Sequence, residues 1–245
     1  MQKLLSYPLT FIYFLCFLIT LLIFHPIQWV CFNAFGYNAH KKSVDMLQFC
    51  LLRCLNILGT RFTFNNPHSI GPNQPLIIVA NHQSMYDISP IMWYMRKYHP
   101  KFISKIELGK GIPSVSYNLR HGGSALIDRK NPRQSLPAIM KFGEYIEKTN
   151  RTAVIFPEGT RSKDGHPKPF QTKGLEILLK KIPSALVVPI SINNSWKTVR
   201  YGKFPMGLGT HITFTVHKPL KVSTFADKQA LINSIETTIK KHIHP

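Results

Sequence analysis

Apolar and polar positions along this chain follow two periods. Six short apolar runs read as buried or half-buried strands: PLIIVA (75–80), KFISK (101–105), SALID (124–128), TAVIF (152–156), LVVPISI (186–192) and HITFTVH (211–217). Between them, apolar residues recur at helical spacing over 84–98, 133–149, 172–181 and 226–243. The last of these, within ADKQALINSIETTIKKHI, is an amphipathic closing helix. Such alternation predicts an α/β fold, a mixed sheet flanked by helices. NNPHSIGPNQP (65–75), rich in Pro, Gly and Asn, reads as a connector. No internal repeat or low-complexity tract interrupts the pattern.

The first quarter of the chain has a different pattern. LLSYPLTFIYFLCFLITLLIF (4–24) carries no charge and is long enough to span a hydrocarbon core as a helix. HPIQWVCF follows it in place of a small-residue cleavage site, which favours a retained anchor over a cleaved signal peptide. A re-entrant hairpin is the alternative, because VDMLQFCLLRCLNIL (44–58) reads as a second, amphipathic helix. The expected division is therefore an N-terminal membrane-associated helix or helical hairpin over 1–64 and an α/β domain over 65–245. Lys3 is the only charge before the apolar run, and Lys41 and Lys42 open a Lys- and Arg-rich remainder. The positive-inside bias then places the domain on the cytoplasmic side.

The charge is far from neutral: 31 Lys and Arg against 11 Asp and Glu, a net +20. That suits a polyanionic partner, whether an anionic membrane face, a phosphorylated substrate, an acidic carrier protein or nucleic acid. For nucleic acid the chain shows no recognition helix, zinc finger or RNA-binding aromatic motif. Cys16, Cys31, Cys50 and Cys54 form no C-x-x-C pair and have no companion ligands, so no metal site is expected. Trp93 and Trp196 read as packing or membrane-interface residues, and His242 and His244 as a solvated tail.

Four of the strands end in unusual polar residues: Asn81-His82, Lys105, Asp128-Arg129 and the run from Pro157 to Arg161. Ligands of open α/β sheets sit beyond the carboxyl ends of strands. In NHQSMYD (81–87), five positions on an ideal helix would put His82 and Asp87 on different faces. They can meet only if His82 lies in the strand-to-helix turn and Asp87 in the first helical turn. Ser84-x-x-Asp87 has the form of a capping box, which gives that geometry. Two readings follow: a structural cap, or a His-Asp dyad with His82 as general base. No G-x-S-x-G nucleophile is present, and GGSAL (122–126) lacks the last glycine, so a dyad would activate a substrate hydroxyl directly. FPEGTRS (156–162) sets Glu158, Gly159, Thr160 and Arg161 in a tight loop whose donors suit a phosphate.

These blocks, with KIELGKGIP (105–113), GGSALIDR (122–129) and VVPISI (187–192), resemble in order the motif blocks of the glycerolipid acyltransferases over about residues 75–195. The nearest likeness is to the 1-acylglycerol-3-phosphate acyltransferases. The resemblance implies that His82 takes the proton from the lysolipid hydroxyl while Asp87 orients it. It implies that Glu158, Gly159, Thr160, Arg161, Arg129 and Lys105 hold the acceptor and its phosphate, and that Pro189 lines the acyl side. The donor would be an acyl thioester of coenzyme A or acyl carrier protein, with no further cofactor. The partners would be lysophosphatidic acid and an anionic membrane surface, and not nucleic acid. Leu126 stands where the family pattern has an aromatic residue, which leaves another lysophospholipid or a lyso-aminolipid open as acceptor.

Overall fold

The computed structural model describes residues 2–245. The chain begins with α1, Gln2–Asn56, broken at Gly36 (φ 73°, ψ −165°), a backbone conformation that L side chains avoid. The two arms fold back on each other. Leu21 packs with Leu47 and Leu51, and Thr20 Oγ1 lies 3.6 Å from Cys54 Sγ. The two helical arms thus form a hairpin. The first arm is long and apolar enough to cross a membrane, yet it lies along the domain. Met206 N donates to Thr10 Oγ1 (2.9 Å), Ser114 Oγ to the Leu21 carbonyl (2.6 Å), and Asn33 Nδ2 to Tyr117 Oη (3.1 Å). Its other sides expose Leu4, Phe11, Leu15, Leu18, Leu22, Trp29 and Phe35.

The sheet has eight strands: β1 Arg61–Asn65, β2 Leu76–Ala80, β3 Pro100–Lys105, β4 Ala125–Ile127, β5 Thr152–Ile155, β6 Leu186–Asn193, β7 His211–Val216 and β8 Leu220–Lys221. Their order is β1-β7-β6-β2-β5-β3-β4, with β8 also paired to β6. β6 runs antiparallel to β7 and β8, and the remaining pairs are parallel, so the sheet is mixed. β1 alternates exposed and half-buried residues as an edge strand should, and the boundary drawn at 64/65 falls inside it.

Strand alternation sorts the core into two layers. Ile77 and Val79 of β2 face α4 (Pro132–Thr149), α5 (Thr172–Lys181) and α6 (Lys228–Lys241). Leu76, Ile78 and Ala80 face α2 (Ile88–Tyr94) and Val44 of the hairpin. The helix expected over 84–98 is shorter. A 3-10 turn at Met85–Asp87 leads into α2, and a second at Arg96–Tyr98 ends at His99, whose left-handed φ of 54° starts the chain into β3. One helix had no strong periodic signal: α3, Val115–His121, only seven residues long.

One side chain holds the centre of the sheet at its carboxyl edge. β2 pairs with β6 as far as Ala80 opposite Ile190. Beyond that point, the buried Asn81 side chain continues the ladder. It accepts from Ile192 N (2.7 Å) and donates to Ile192 O (2.8 Å). Asn81→Ala strands both groups in a buried place, at about 1–3 kcal/mol for each unpaired group. We expect denaturant unfolding to show a loss of about 2–4 kcal/mol. A loss below ~1 kcal/mol would mean that water replaces the clamp.

Candidate active site

The turn after β2 puts His82 and Asp87 in contact. His82 Nδ1 lies 2.8 Å from Asp87 Oδ2, and both residues are buried. The same Asp87 oxygen accepts from Gln83 N (2.7 Å) and Ser84 N (2.9 Å), while Ser84 Oγ accepts from Tyr86 N (3.0 Å). The capping box and the dyad are therefore one structure, not rival readings. Because a carboxylate only accepts, Nδ1 carries the imidazole proton and the lone pair is left on Nε2. The ring stacks on Phe156 at 4.1 Å between centroids, which fixes its plane.

Asp87 Oδ1 accepts from Ser195 Oγ, which lies in the 3-10 turn Ser195–Val199 after β6. Ser195 is fully buried, its N–H donates to Gln83 Oε1 (2.9 Å), and its hydroxyl also meets Ser84 Oγ. Ser195 thus braces the dyad from 108 residues away. Local spacing could not reveal it, because the contact exists only once β6 pairs with β2.

The second motif wraps the first. Glu158 is buried, and its Oε1 accepts from His82 N at 3.1 Å. Its Oε2 accepts from Lys168 N (3.3 Å), and His82 O accepts from Ser162 N (2.8 Å). Gly159 has φ 69°, a conformation open to glycine at little cost, and its carbonyl accepts from Arg129 Nη1. Lys168, not singled out from the sequence, donates through Nζ to Thr160 Oγ1 (3.0 Å) and to the Arg161 carbonyl (2.8 Å). Burial, then the charge of Arg161, lowers the pKa of Arg129. Among the described residues, no carboxylate forms an ion pair with Arg129, Arg161, Lys105 or Lys168. Cations without an ion-paired carboxylate, around a turned loop, suit an oxyanion.

The structure thus gathers His82, Asp87, Glu158, Gly159, Thr160, Arg161 and Arg129. Lys105 is exposed at the carboxyl end of β3, on the same edge of the sheet, and among the described residues its side chain makes no hydrogen bond. Pro189 does not join them. It is buried in β6 opposite Val79, and alternation with Val188 and Ile190 turns it toward α4, α5 and α6. His82 and Phe156 lie on the other face. Pro189 has a structural reason for its place: β8 pairs with Leu186 and Val187 and β7 with Ile190 onward, so the missing N–H falls in the gap between them.

Burial pushes the Glu158 carboxyl up to about 7, against the partial compensation of the two backbone N–H bonds it accepts. Between an ordinary 4.5 and about 7, the folded protein holds a proton that the unfolded chain has released. Stability therefore falls as pH rises through that window. Glu158→Gln removes the titration. Its melting temperature, followed from pH 4.5 to 7, should decline less steeply than that of the parent protein. Identical slopes would assign the pH response to other groups.

The comparisons with known proteins agree with this geometry. The family model described as Acyltransferase matches residues 61–193. A chloroplastic 1-acyl-sn-glycerol-3-phosphate acyltransferase from Brassica napus is 32% identical over 149 residues, covering 60% of this chain and 41% of the relative. The 1-acyl-sn-glycerol-3-phosphate acyltransferase of Helicobacter pylori is 38% identical over 128 residues, 49% of this chain and 51% of the relative. The chain spans about half the length of these curated relatives. The crystal structure of the 1-acyl-sn-glycerophosphate (LPA) acyltransferase PlsC from Thermotoga maritima superposes with a TM-score of 0.78. That match covers 98% of this chain and 95% of the other at 23% identity, and it shows the shared fold. With the family match running from β1 to the end of β6 and taking in both motifs, the chain belongs to the Acyltransferase family.

Proposed function

We propose that this protein transfers a fatty acyl group from an acyl thioester to the free hydroxyl of 1-acylglycerol-3-phosphate, giving phosphatidic acid. The observation that carries the reading is the buried His82–Asp87 contact of 2.8 Å beside a loop ringed by unpaired cations. It supplies a base and an oxyanion cradle on one edge of the sheet. The names of the relatives point to the same acceptor.

In this mechanism, His82 Nε2 takes the proton of the acceptor hydroxyl as its oxygen attacks the thioester carbonyl. Asp87 stabilises the imidazolium that forms. The tetrahedral intermediate collapses, a C–O ester bond replaces the C–S bond, and the departing thiolate recovers the proton from His82. Arg161 and Arg129, with Lys168 and Lys105, hold the acceptor phosphate. Glu158 and Ser195 act on position alone, through the His82 backbone and the Asp87 carboxylate. Coenzyme A and acyl carrier protein are both acidic donors that suit a chain of net +20, and no further cofactor is required.

The exposed apolar side of the first arm supports a membrane location, with the arm seated in the lipid and the sheet at its surface. Each Lys or Arg near an anionic surface adds about 1 kcal/mol of attraction. The charge asymmetry around the apolar run argues for the cytoplasmic side.

The test is a product assay. The membrane-bound protein receives 1-acylglycerol-3-phosphate and an acyl thioester, and the lipids are read by mass, with His82→Ala beside it. We expect phosphatidic acid from the parent protein and a fall of about 10² to 10⁴ in turnover for His82→Ala, with the protein still folded at the assay temperature. Acylation of a different lysolipid in the same panel would retain the mechanism and replace the acceptor. Full turnover by a folded His82→Ala would remove the base from the scheme. Arg161→Ala should raise KM for the phosphate-bearing acceptor by about 10- to 100-fold while leaving the donor KM nearly unchanged. Equal effects on the two substrates would take Arg161 off the acceptor phosphate.

A further inference from the structure

At the opposite edge of the sheet from His82, the tip of the hairpin closes over a second basic cluster. Lys101, near the start of β3, is 6% exposed, and among the described residues it makes no side-chain hydrogen bond or ion pair. It lines a small cavity of about 10 Å³, room for one water-sized group. His40 lines the same cavity, is 1% exposed, and leaves its Nε2 without a protein partner. The amide-bearing Asn118 and the ring of His99 complete the polar wall.

Charge around this cavity is unbalanced. Lys41, Lys101 and Arg151 face a single carboxylate, Asp45, which already pairs with Lys41. Tyr37, the residue after the Gly36 break, lies between the cations. Its ring has Arg151 Cζ at 3.7 Å and Lys101 Nζ at 5.0 Å, and its hydroxyl meets His99 Nδ1 at 2.9 Å. Burial, followed by the charges of Arg151 and Lys41, brings the Lys101 ammonium down to about 7, with only Asp45 opposing. A buried cation without a counter-charge carries a desolvation cost that an anion would offset.

The position of the tip narrows the ligand. Phe35 and Trp29 stand exposed on the apolar arm beside it, and such aromatic side chains collect at the boundary between hydrocarbon and water. Phosphate oxygens of lipids lie at that depth. We propose that this cavity is a second anion site, in which Lys101, flanked by His40 and backed by Arg151, binds one oxygen of a phosphate group at the membrane–water boundary. The phosphate belongs either to a phospholipid headgroup or to the free ion. The site is separate from the catalytic one. Lys101 and Lys105 stand near opposite ends of β3, ~13 Å apart along the strand.

The experiment uses the full chain in neutral detergent and in vesicles, with Arg161→Ala as the background so that the acceptor site contributes little. One arm measures the melting temperature against inorganic phosphate at constant ionic strength. The other compares phosphatidylcholine vesicles with vesicles that also contain an anionic phospholipid. We expect a rise in at least one arm, and at least ~10-fold weaker apparent affinity when Lys101→Met is added. Lys101→Met removes an uncompensated buried charge and keeps the stem, so it should fold. Arg151→Gln provides an independent second variant with the same expected loss. A rise with anionic vesicles alone makes the ligand a headgroup, and a rise with inorganic phosphate makes it a general phosphate site. A rise that both variants retain in full, or no rise in either arm, overturns the proposal.

Discussion

The site depends on one carboxylate. Asp87 accepts hydrogen bonds from four donors: the His82 ring, the N–H groups of Gln83 and Ser84, and the Ser195 hydroxyl. Two of these donors are the first N–H groups of a helical turn, one fixes the tautomer of the His82 ring, and one comes from the turn after the neighbouring strand β6. A side chain so surrounded cannot turn without giving up several bonds in a buried place, where each costs about 1–3 kcal/mol. The His82 ring is therefore held by the same contacts that start the helix.

That arrangement holds only if β2 and β6 keep their register. Asn81 secures it by carrying the ladder one step past the last backbone pair. Glu158 secures the other side, accepting from His82 N while its loop turns through Gly159. Three strand ends thus converge on one imidazole, and Phe156 supplies the flat surface behind it. The burial of Glu158 is the energetic cost, visible in a carboxyl pushed up to about 7. The hairpin joins the same assembly through Tyr86, whose ring meets Tyr13 edge-on at 6.2 Å. The motif that carries the dyad is in this way tied to the apolar arm.

Much of this could be read from local patterns. The apolar runs mark β2 to β7 to within a residue or two, because strand burial is written into consecutive side chains. The capping box in NHQSMYD was legible because it is a contact between residues three apart. β1 was missed although Phe62 and Phe64 alternate with polar neighbours, since four or five residues at a sheet edge carry little apolar signal. The face that Pro189 takes in β6 was not legible, because a motif match does not say which side of a strand a residue takes.

The sequence by itself determined the layer architecture, the apolar arm, the two motifs and the excess of positive charge, since each is a property of neighbouring residues. Only the tertiary structure decided that α1 folds back at Gly36 and lies along the domain, that β6 lies beside β2, and that Ser195 reaches Asp87. It also decided that Lys101 and Arg151 gather beneath the hairpin tip, away from the cations around Gly159. The physical reason is the same in each case. These contacts join residues far apart in sequence, and their energy appears only after the intervening chain has been ordered.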